Sequence, residues 1–206
     1  PNMDATIESR VLSKRGVQFG ADVRYLNTAY GGVYRSEAMG EFLPDDRETH
    51  TNRWAVELNH NQTTAAGFGA TINYTKVSDN DYYTNLSNQI TSTSQTQLLQ
   101  QGVLTYGGGG WWNVTANMQS YQTLQPDPQN PVAKPYRLLP QVTVNARQPD
   151  LFSTDMAFFG QYTNFVQPDS SQVEGQRSVL QPQISLPYVT PGWYVIPRVG
   201  VNFTHY

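Results

Sequence analysis

Apolar and polar residues alternate along this chain in about eleven stretches, each roughly ten residues long. In the first, Met3, Ala5, Ile7 and Val11 alternate with Asp4, Thr6, Glu8 and Arg10. A period of two marks a β-strand, whose successive side chains point to opposite faces. Length narrows the reading further. Strands of soluble domains usually run ~5–6 residues, whereas a tilted strand crossing a bilayer needs ~9–11. The pattern predicts strands over residues 2–11, 16–26, 33–43, 52–61, 67–77, 96–106, 111–124, 136–147, 153–166, 176–186 and 193–206. That is about 19 residues per strand with its connection, wider than the ~8–12 spacing of a sandwich.

Some stretches alternate cleanly. Val17, Phe19, Ala21, Val23 and Tyr25 oppose Gln18, Gly20, Asp22 and Arg24, and Trp54, Val56 and Leu58 oppose Arg53, Glu57 and Asn59. Residues 153–166 are blurred by the adjacent Phe158 and Phe159, and residues 96–106 by Gln100 and Gln101, which interrupt both faces. Pro140 and Pro182 fall inside strand patterns. Proline lacks the N–H that a ladder needs, so each predicts a bulge or, at a closure point, a weakened seam.

The connections alternate in length. Residues 12–15, 44–51, 78–95, 125–135 and 167–175 include long polar loops, while 27–32, 62–66, 107–110, 148–152 and 187–192 are short. Short periplasmic turns and longer extracellular loops are the habit of outer-membrane barrels. Aromatic residues collect towards the strand ends: Tyr25, Tyr34, Tyr106, Trp112 and Trp193 at the short-turn rim, Phe42, Trp54, Tyr74 and Tyr121 at the other. Amphipathic rings favour the headgroup level, so two such girdles fit a membrane wall. The opposite face carries Asp4, Glu8, Arg10, Asp22, Arg24, Arg35, Glu37, Glu41, Arg53 and Glu57. Both signs are interleaved there. A small dry core would charge several kcal/mol for each unpaired one, so the interior is wide and wet or filled by something polar.

Composition agrees. Charged residues are only 14% of the 206, against ~25% in an ordinary soluble domain. Thirteen Lys and Arg against sixteen Asp and Glu give a net charge of −3, without the basic footprint of a nucleic-acid binder. The mean hydropathy of −0.54 argues against a helical membrane protein but not a barrel, in which only alternate residues face lipid. No cysteine is present, so neither a disulfide nor a thiolate metal site can form within it. The chain opens in front of one strand pattern and closes inside another, and it reads as a segment whose neighbouring strands lie before Pro1 and after Tyr206.

Enzymatic signals are poor. His50, His60 and His205 are scattered and make no H-E-x-x-H pair, and Gly107–Gly110 is followed by no Lys-Ser/Thr. The glycine run reads as a tight turn. Asp79 and Asp81 could hold a cation, but turn formation accounts for them better. No catalytic residue, cofactor or metal is expected.

Several words in the chain resemble a known family. Pro1-Asn2-Met3-Asp4-Ala5-Thr6, Ser13-Lys14-Arg15-Gly16, Arg24-Tyr25-Leu26, Phe42-Leu43-Pro44 with Asp46, Arg53-Trp54, Asn59-His60, and Tyr74-Thr75-Lys76-Val77-Ser78-Asp79 with Tyr82 or Tyr83 are similar to the barrel of the LptD family, also called organic solvent tolerance proteins. Pro182 with Ile184, Leu186 and Pro187 resembles a later strand. The resemblance implies a large outer-membrane barrel that inserts lipopolysaccharide into the outer leaflet, without covalent chemistry. It implies a periplasmic jelly-roll domain before the barrel, outside this chain, so that residues 1–206 are all barrel. It also implies three partners: an LptE-type plug lipoprotein in the lumen, a periplasmic lipopolysaccharide bridge protein, and lipopolysaccharide among the lipids of the outer membrane. Family members often carry paired cysteines, and this chain departs from them there. The fold class expected is all-β, a segment of a large antiparallel transmembrane β-barrel. The candidates for lumen and plug contact are Arg24, Arg35, Glu37, Arg53 and Glu57. A general or substrate-specific porin, a barrel phospholipase and a soluble all-β adhesin are the rival readings.

Overall fold

The computed structural model describes residues 2–86, 95–169 and 171–206. Pro1, the middle of the connection expected over 78–95 and Ser170 in the connection over 167–175 lie outside the described residues. The elements are β1 Met3–Leu12, β2 Gly16–Ala29, β3 Gly32–Asp46, β4 Thr51–Thr63, β5 Phe68–Val77, α1 Tyr82–Leu86, β6 Gln97–Gly108, β7 Trp112–Thr123, β8 Arg137–Leu151, β9 Thr154–Val166, β10 Gly175–Ser185, β11 Tyr188–Val189, β12 Tyr194–Val195, β13 Arg198–Gly200 and β14 Phe203–His205. Twelve of these strands follow an antiparallel meander in sequence order, with β13 and β14 both beside β10, and β11 and β12 form a separate small hairpin. Among the described residues no helix is long and apolar enough to cross a membrane, which says nothing of strands. Contacts divide the chain into two units, Pro1–Gly102 with Gln119–Pro135 and Val103–Met118 with Tyr136–Tyr206.

In the first unit, the ladders set one face of the strands apolar and the other polar. Phe19 pairs with Phe42, and Phe42 with Trp54, so three aromatic residues cross β2, β3 and β4 in one row. Val23 with Ala38 and Ala38 with Leu58 make a second apolar row. One residue over, Arg24 pairs with Glu37 and Glu37 with Asn59. Several large apolar residues are exposed and several polar ones buried. Ile7 is 82% exposed and Phe19 50%, while Gln18 and Arg53 are 3% and 1% exposed. Large residues of the apolar face stay exposed, and the polar face is covered at the end that holds Gln18 and Arg53 and open at Arg24, Arg35 and Glu37.

The buried apolar residues of this unit sit at one end of that polar face. Leu43, Val77, Leu98 and Leu124 pack with Tyr82 and Leu86 of α1, and Leu12, Ala55 and Tyr83 border them. The amide of Gln122 supports this end by taking both backbone groups of Val77, donating from Nε2 to its carbonyl at 2.8 Å and accepting its N–H at Oε1 at 2.9 Å. A side chain thus stands in where a strand partner has run out. The glutamines that blurred β6 are paired across the ladder. Gln101 Nε2 donates to Gln119 Oε1 at 3.2 Å, and Ser120 Oγ donates to Gln100 at 3.3 Å.

The turns alternate only in part: in the series expected to be longer, 13–15 and 47–50 are as short as the turns of the other series. Residues 30–31, 64–67, 109–111 and 152–153 are short, whereas 78–96 and 124–136 are long. Tyr30 and Gly31 both have positive φ, 50° and 69°, the geometry whose twist matches a two-residue hairpin. Of the glycine run, Gly109 and Gly110, with φ of 60° and 77°, form the turn, while Gly107 and Gly108 end β6.

In the second unit, Phe158 pairs with Ala146 and Pro182 on the apolar face, and Phe159 with Asn145 and Gln181 on the other. The adjacent phenylalanines therefore belong to opposite faces of one regular strand. Pro140 lies in a register shift between Leu138 and Gln141, the bulge its missing N–H predicts. Pro182 makes no bulge, and β9 and β10 keep register straight through it. Its effect falls on the other side. The expected strand 193–206 is broken, and one gap stands opposite Pro182. Gln183 pairs with Gly200 and Leu180 with Phe203, so β13 and β14 share one register and are interrupted only at Val201 and Asn202. Val201 N–H reaches Pro182 O at 3.0 Å. Proline has no N–H to return that bond.

Candidate functional site

All five candidates, Arg24, Arg35, Glu37, Arg53 and Glu57, share the polar face of the first unit. The alternation fixes this: each is one residue away from an apolar-face neighbour. Their surroundings differ. Arg24 donates from Nε to Asp4 Oδ1 at 2.9 Å on β1, with both side chains largely exposed. Arg35 stands opposite Leu26 and Asn61, and Glu37 opposite Arg24 and Asn59. Glu57 accepts Asn59 Nδ2 at 2.9 Å.

Arg53 is the exception. Its guanidinium lies buried at the centre of an ion network. Nε and Nη2 donate to Asp79 Oδ2 and Oδ1 at 2.9 and 2.7 Å, and Nη1 donates to Asp46 Oδ2 at 3.3 Å. Asp46, fully buried, also receives Arg15 Nη1 at 2.6 Å, and Arg15 pairs with Glu48 through Nη2. The Arg53 guanidinium carbon lies 5.6 Å from the centre of the Tyr82 ring, within cation–π range. The Tyr82 hydroxyl donates to Glu41 Oε2 at 2.7 Å and receives Gln18 Nε2 at 3.2 Å. Arg10 Nη2 donates to the Leu86 carbonyl at 2.7 Å. The first described part of the long β5–β6 connection is thereby fastened to the polar face at Asp79, Tyr82 and Leu86.

The charges follow this packing. Burial alone would raise the Asp79 carboxyl, but hydrogen bonds from Arg53 and Ser78 outweigh it and hold it below the usual carboxylate range. Burial pushes the Tyr82 hydroxyl upward, and the carboxylate of Glu41 adds to the effect. Tyr83 rises for the same reasons, with Glu57 and Glu41 nearby. Asp79 also accepts the Asp81 N–H at 3.1 Å. The turn reading of Ser78–Asp81 is therefore correct, and the Asp79 oxygens are taken by a guanidinium. Among the described residues no group of three or more His, Asp or Glu side chains is placed to hold a metal ion.

Sequence reasoning placed Arg10, Glu41 and Arg53 on this face but did not join them to Asp46, Asp79 and Tyr82. Periodicity cannot report a loop that folds back over a strand face. The one signal available was the resemblance, since Asp46, Arg53-Trp54, Asp79 and Tyr82 are among the words that carry it.

Residues 51–206 match the family described as "LptD: LPS transport system D". Over its whole length the chain is 41% identical to "LPS-assembly protein LptD" of Azoarcus sp. strain BH72 and 42% identical to that of Ralstonia nicotianae, covering 25% of each. It is 37% identical to the protein of the same name from Nitrosomonas europaea, covering 28% of it. The chain spans about a quarter of the length of these curated relatives. With its antiparallel ladders of long strands and this match over most of its length, the chain belongs to the LptD family.

Proposed function

We propose that this chain is part of the wall of an outer-membrane β-barrel that assembles lipopolysaccharide into the outer leaflet, by conduction and insertion and without covalent chemistry. One observation carries the reading. The rows that pair large apolar residues share one face and stay exposed, while arginines and carboxylates are gathered on the other. Only a surrounding of hydrocarbon makes that arrangement favourable, because it places apolar rows against lipid and reserves the polar rows for a hydrated lumen. The long connections then face the cell exterior and the short turns the periplasm. Depletion of the full-length protein should stop newly made lipopolysaccharide from reaching the cell surface. Unchanged surface lipopolysaccharide contradicts the proposal.

Within that lumen, the exposed members of the candidate set, Arg24, Arg35, Glu37 and Glu57, fit the polar surface of an LptE-type plug lipoprotein. Arg53 is committed to Asp46 and Asp79, so its role is to hold the β5–β6 connection and not to meet a partner. The bridge protein would dock on parts of the longer protein outside this chain. Charge reversal at Arg24 together with Arg35 should weaken recovery of the plug in a pull-down from full-length protein. Undiminished recovery rules the assignment out.

A further inference from the structure

The apolar face of the second unit is less even than that of the first. In the first unit, the row Phe19, Phe42 and Trp54 carries a ring on each of three neighbouring strands. In the second, a groove of about 740 Å³ is cut into the face, within the ~300–1,000 Å³ range of ligand sites. Among the described residues no charged side chain lines it.

Strand register and two small residues make the groove. One row across β8, β9, β10 and β13 reads Gln148, Met156, Ile184, Val199. The next row on the same face reads Ala146, Phe158, Pro182. Ala146 and Pro182 are short and leave a low floor. The Phe158 ring could cover that floor, but two of its carbons lie 3.0 and 3.1 Å from where a Cβ at Gly160 would stand. The ring therefore lies along the strand over Gly160, away from Met156, and the floor stays open.

The groove ends at the short turns. Gln148 borders it near the turn between β8 and β9, and Trp111 enters it from the turn between β6 and β7. Trp111 Nε1 lies 3.2 Å from where a Cβ at Gly109 would stand, so the polar edge of the indole sits at that turn. Beyond the same end of β10, the β11–β12 hairpin carries Tyr188, Trp193 and Tyr194, each more than half exposed, with no charged residue from Leu186 to Pro197. Rings with one polar edge favour the headgroup level of a bilayer, which places the groove just inside it.

An empty trough against lipid forfeits the contacts its walls could make, and a chain of methylenes laid in it recovers them. We infer that the groove floored by Ala146 and Pro182 and walled by Phe158, Met156 and Ile184 holds one acyl chain of a glycerophospholipid of the periplasmic leaflet. Gln148 and the Trp111 indole N–H, at its mouth, match the ester carbonyls. A lining without arginine or lysine offers no fork for the phosphates of lipopolysaccharide, which sets the occupant apart from the cargo. The inference rests on the reading of the apolar rows as lipid-facing and of the short turns as periplasmic, and it adds one fixed lipid to that wall.

The test uses full-length protein extracted from outer membranes in a mild detergent. Native mass spectrometry counts and identifies the lipid that survives washing. The wild type should keep one phospholipid after the others are stripped. Ala146→Phe fills the floor and should lower the bound fraction about tenfold, the effect of losing about ten carbon–carbon contacts. Ala146→Leu fills less and should lower it less, and it carries the test should heat-dependent gel mobility show Ala146→Phe unfolded. Val23→Phe adds a ring to the apolar face of the first unit and should leave the bound fraction unchanged. Equal phospholipid in the wild type and the folded Ala146 variants overturns the site, as does an equal loss in Val23→Phe. Retention of lipopolysaccharide in place of phospholipid, or of detergent alone, overturns the occupant. Spin-label access at Val56 and Glu57 does not depend on the groove. If those labels report opposite faces while no phospholipid is retained, the site is wrong and the barrel reading stands.

Discussion

Arg53 sets Nε and Nη2 against the two carboxylate oxygens of Asp79, at 2.9 and 2.7 Å. The pair ties the third residue of β4 to the connection that carries α1. A bidentate guanidinium–carboxylate pair is geometrically selective as well as strong. Because the Arg53 side chain is buried and touches Asp46 as well, its removal leaves a buried carboxylate short of a partner. Arg53→Ala should destabilise the folded unit by about 3–5 kcal/mol. Arg53→Lys keeps the charge, loses the fork and should fall between. Thermal unfolding of the full-length protein, followed by its heat-dependent mobility on gels, measures both.

The same pair gives the connection a pH dependence. The folded Asp79 carboxyl lies below its ordinary value, which is ~3.9 in an unfolded chain. A depressed carboxyl contributes stability above the unfolded value, and that contribution fades as pH falls through the folded one. A spin label at exposed Thr84 should therefore stay immobile from neutral pH to about pH 4 and loosen only below it. Asp79→Asn should loosen it at neutral pH. Mobility rising already near pH 6 in the unmutated background contradicts the assignment.

Phe152 and Ser153 form the two-residue turn between β8 and β9, with φ of 53° and 61°. Both sit in the left-handed region, which costs a side-chain-bearing residue about 1–2 kcal/mol. Phe152→Asn with Ser153→Gly installs the residues this turn geometry favours. It should raise the stability of the hairpin by about 1–2 kcal/mol, read as a higher unfolding temperature.

Pro182 returns no N–H to Val201. Pro182→Val supplies that donor and should join β13 and β14 into one strand. Hydrogen exchange would then slow at Val201 and Asn202, while Gln161, across the β9 ladder from Val179, exchanges as before. Equal exchange at Val201 and Asn202 in both proteins shows that the interruption has another cause.

Much of the fold was legible in the sequence because a meander of long strands repeats one rule. Val56 and Glu57 differ by a single position, and period two assigns them to opposite faces without any tertiary information. Proline was legible in kind but not in direction. Sequence alone states that Pro182 lacks a donor, whereas only the register reveals that the loss falls on the β13–β14 side. The expected strand over 193–206 failed where this loss and the uncharged Tyr188–Trp193 hairpin intervene. Trp193 starts no long strand, because its carbonyl closes the turn with Thr190 and its ring meets Tyr188 at 5.1 Å. The candidate residues were legible as a face and not as a network. Asp79 and Tyr82 lie outside the strands, and nothing in their spacing reports that they fold back onto Arg53, Glu41 and Gln18.

The central claim is the inversion of faces across the wall. Spin labels at Val56 and Glu57, in the full-length protein reconstituted into a bilayer, test it most directly. The account predicts that the label at 56 is relaxed by lipid-dissolved oxygen and the label at 57 by a water-soluble paramagnetic reagent. Equal access of both reagents to both positions would contradict it.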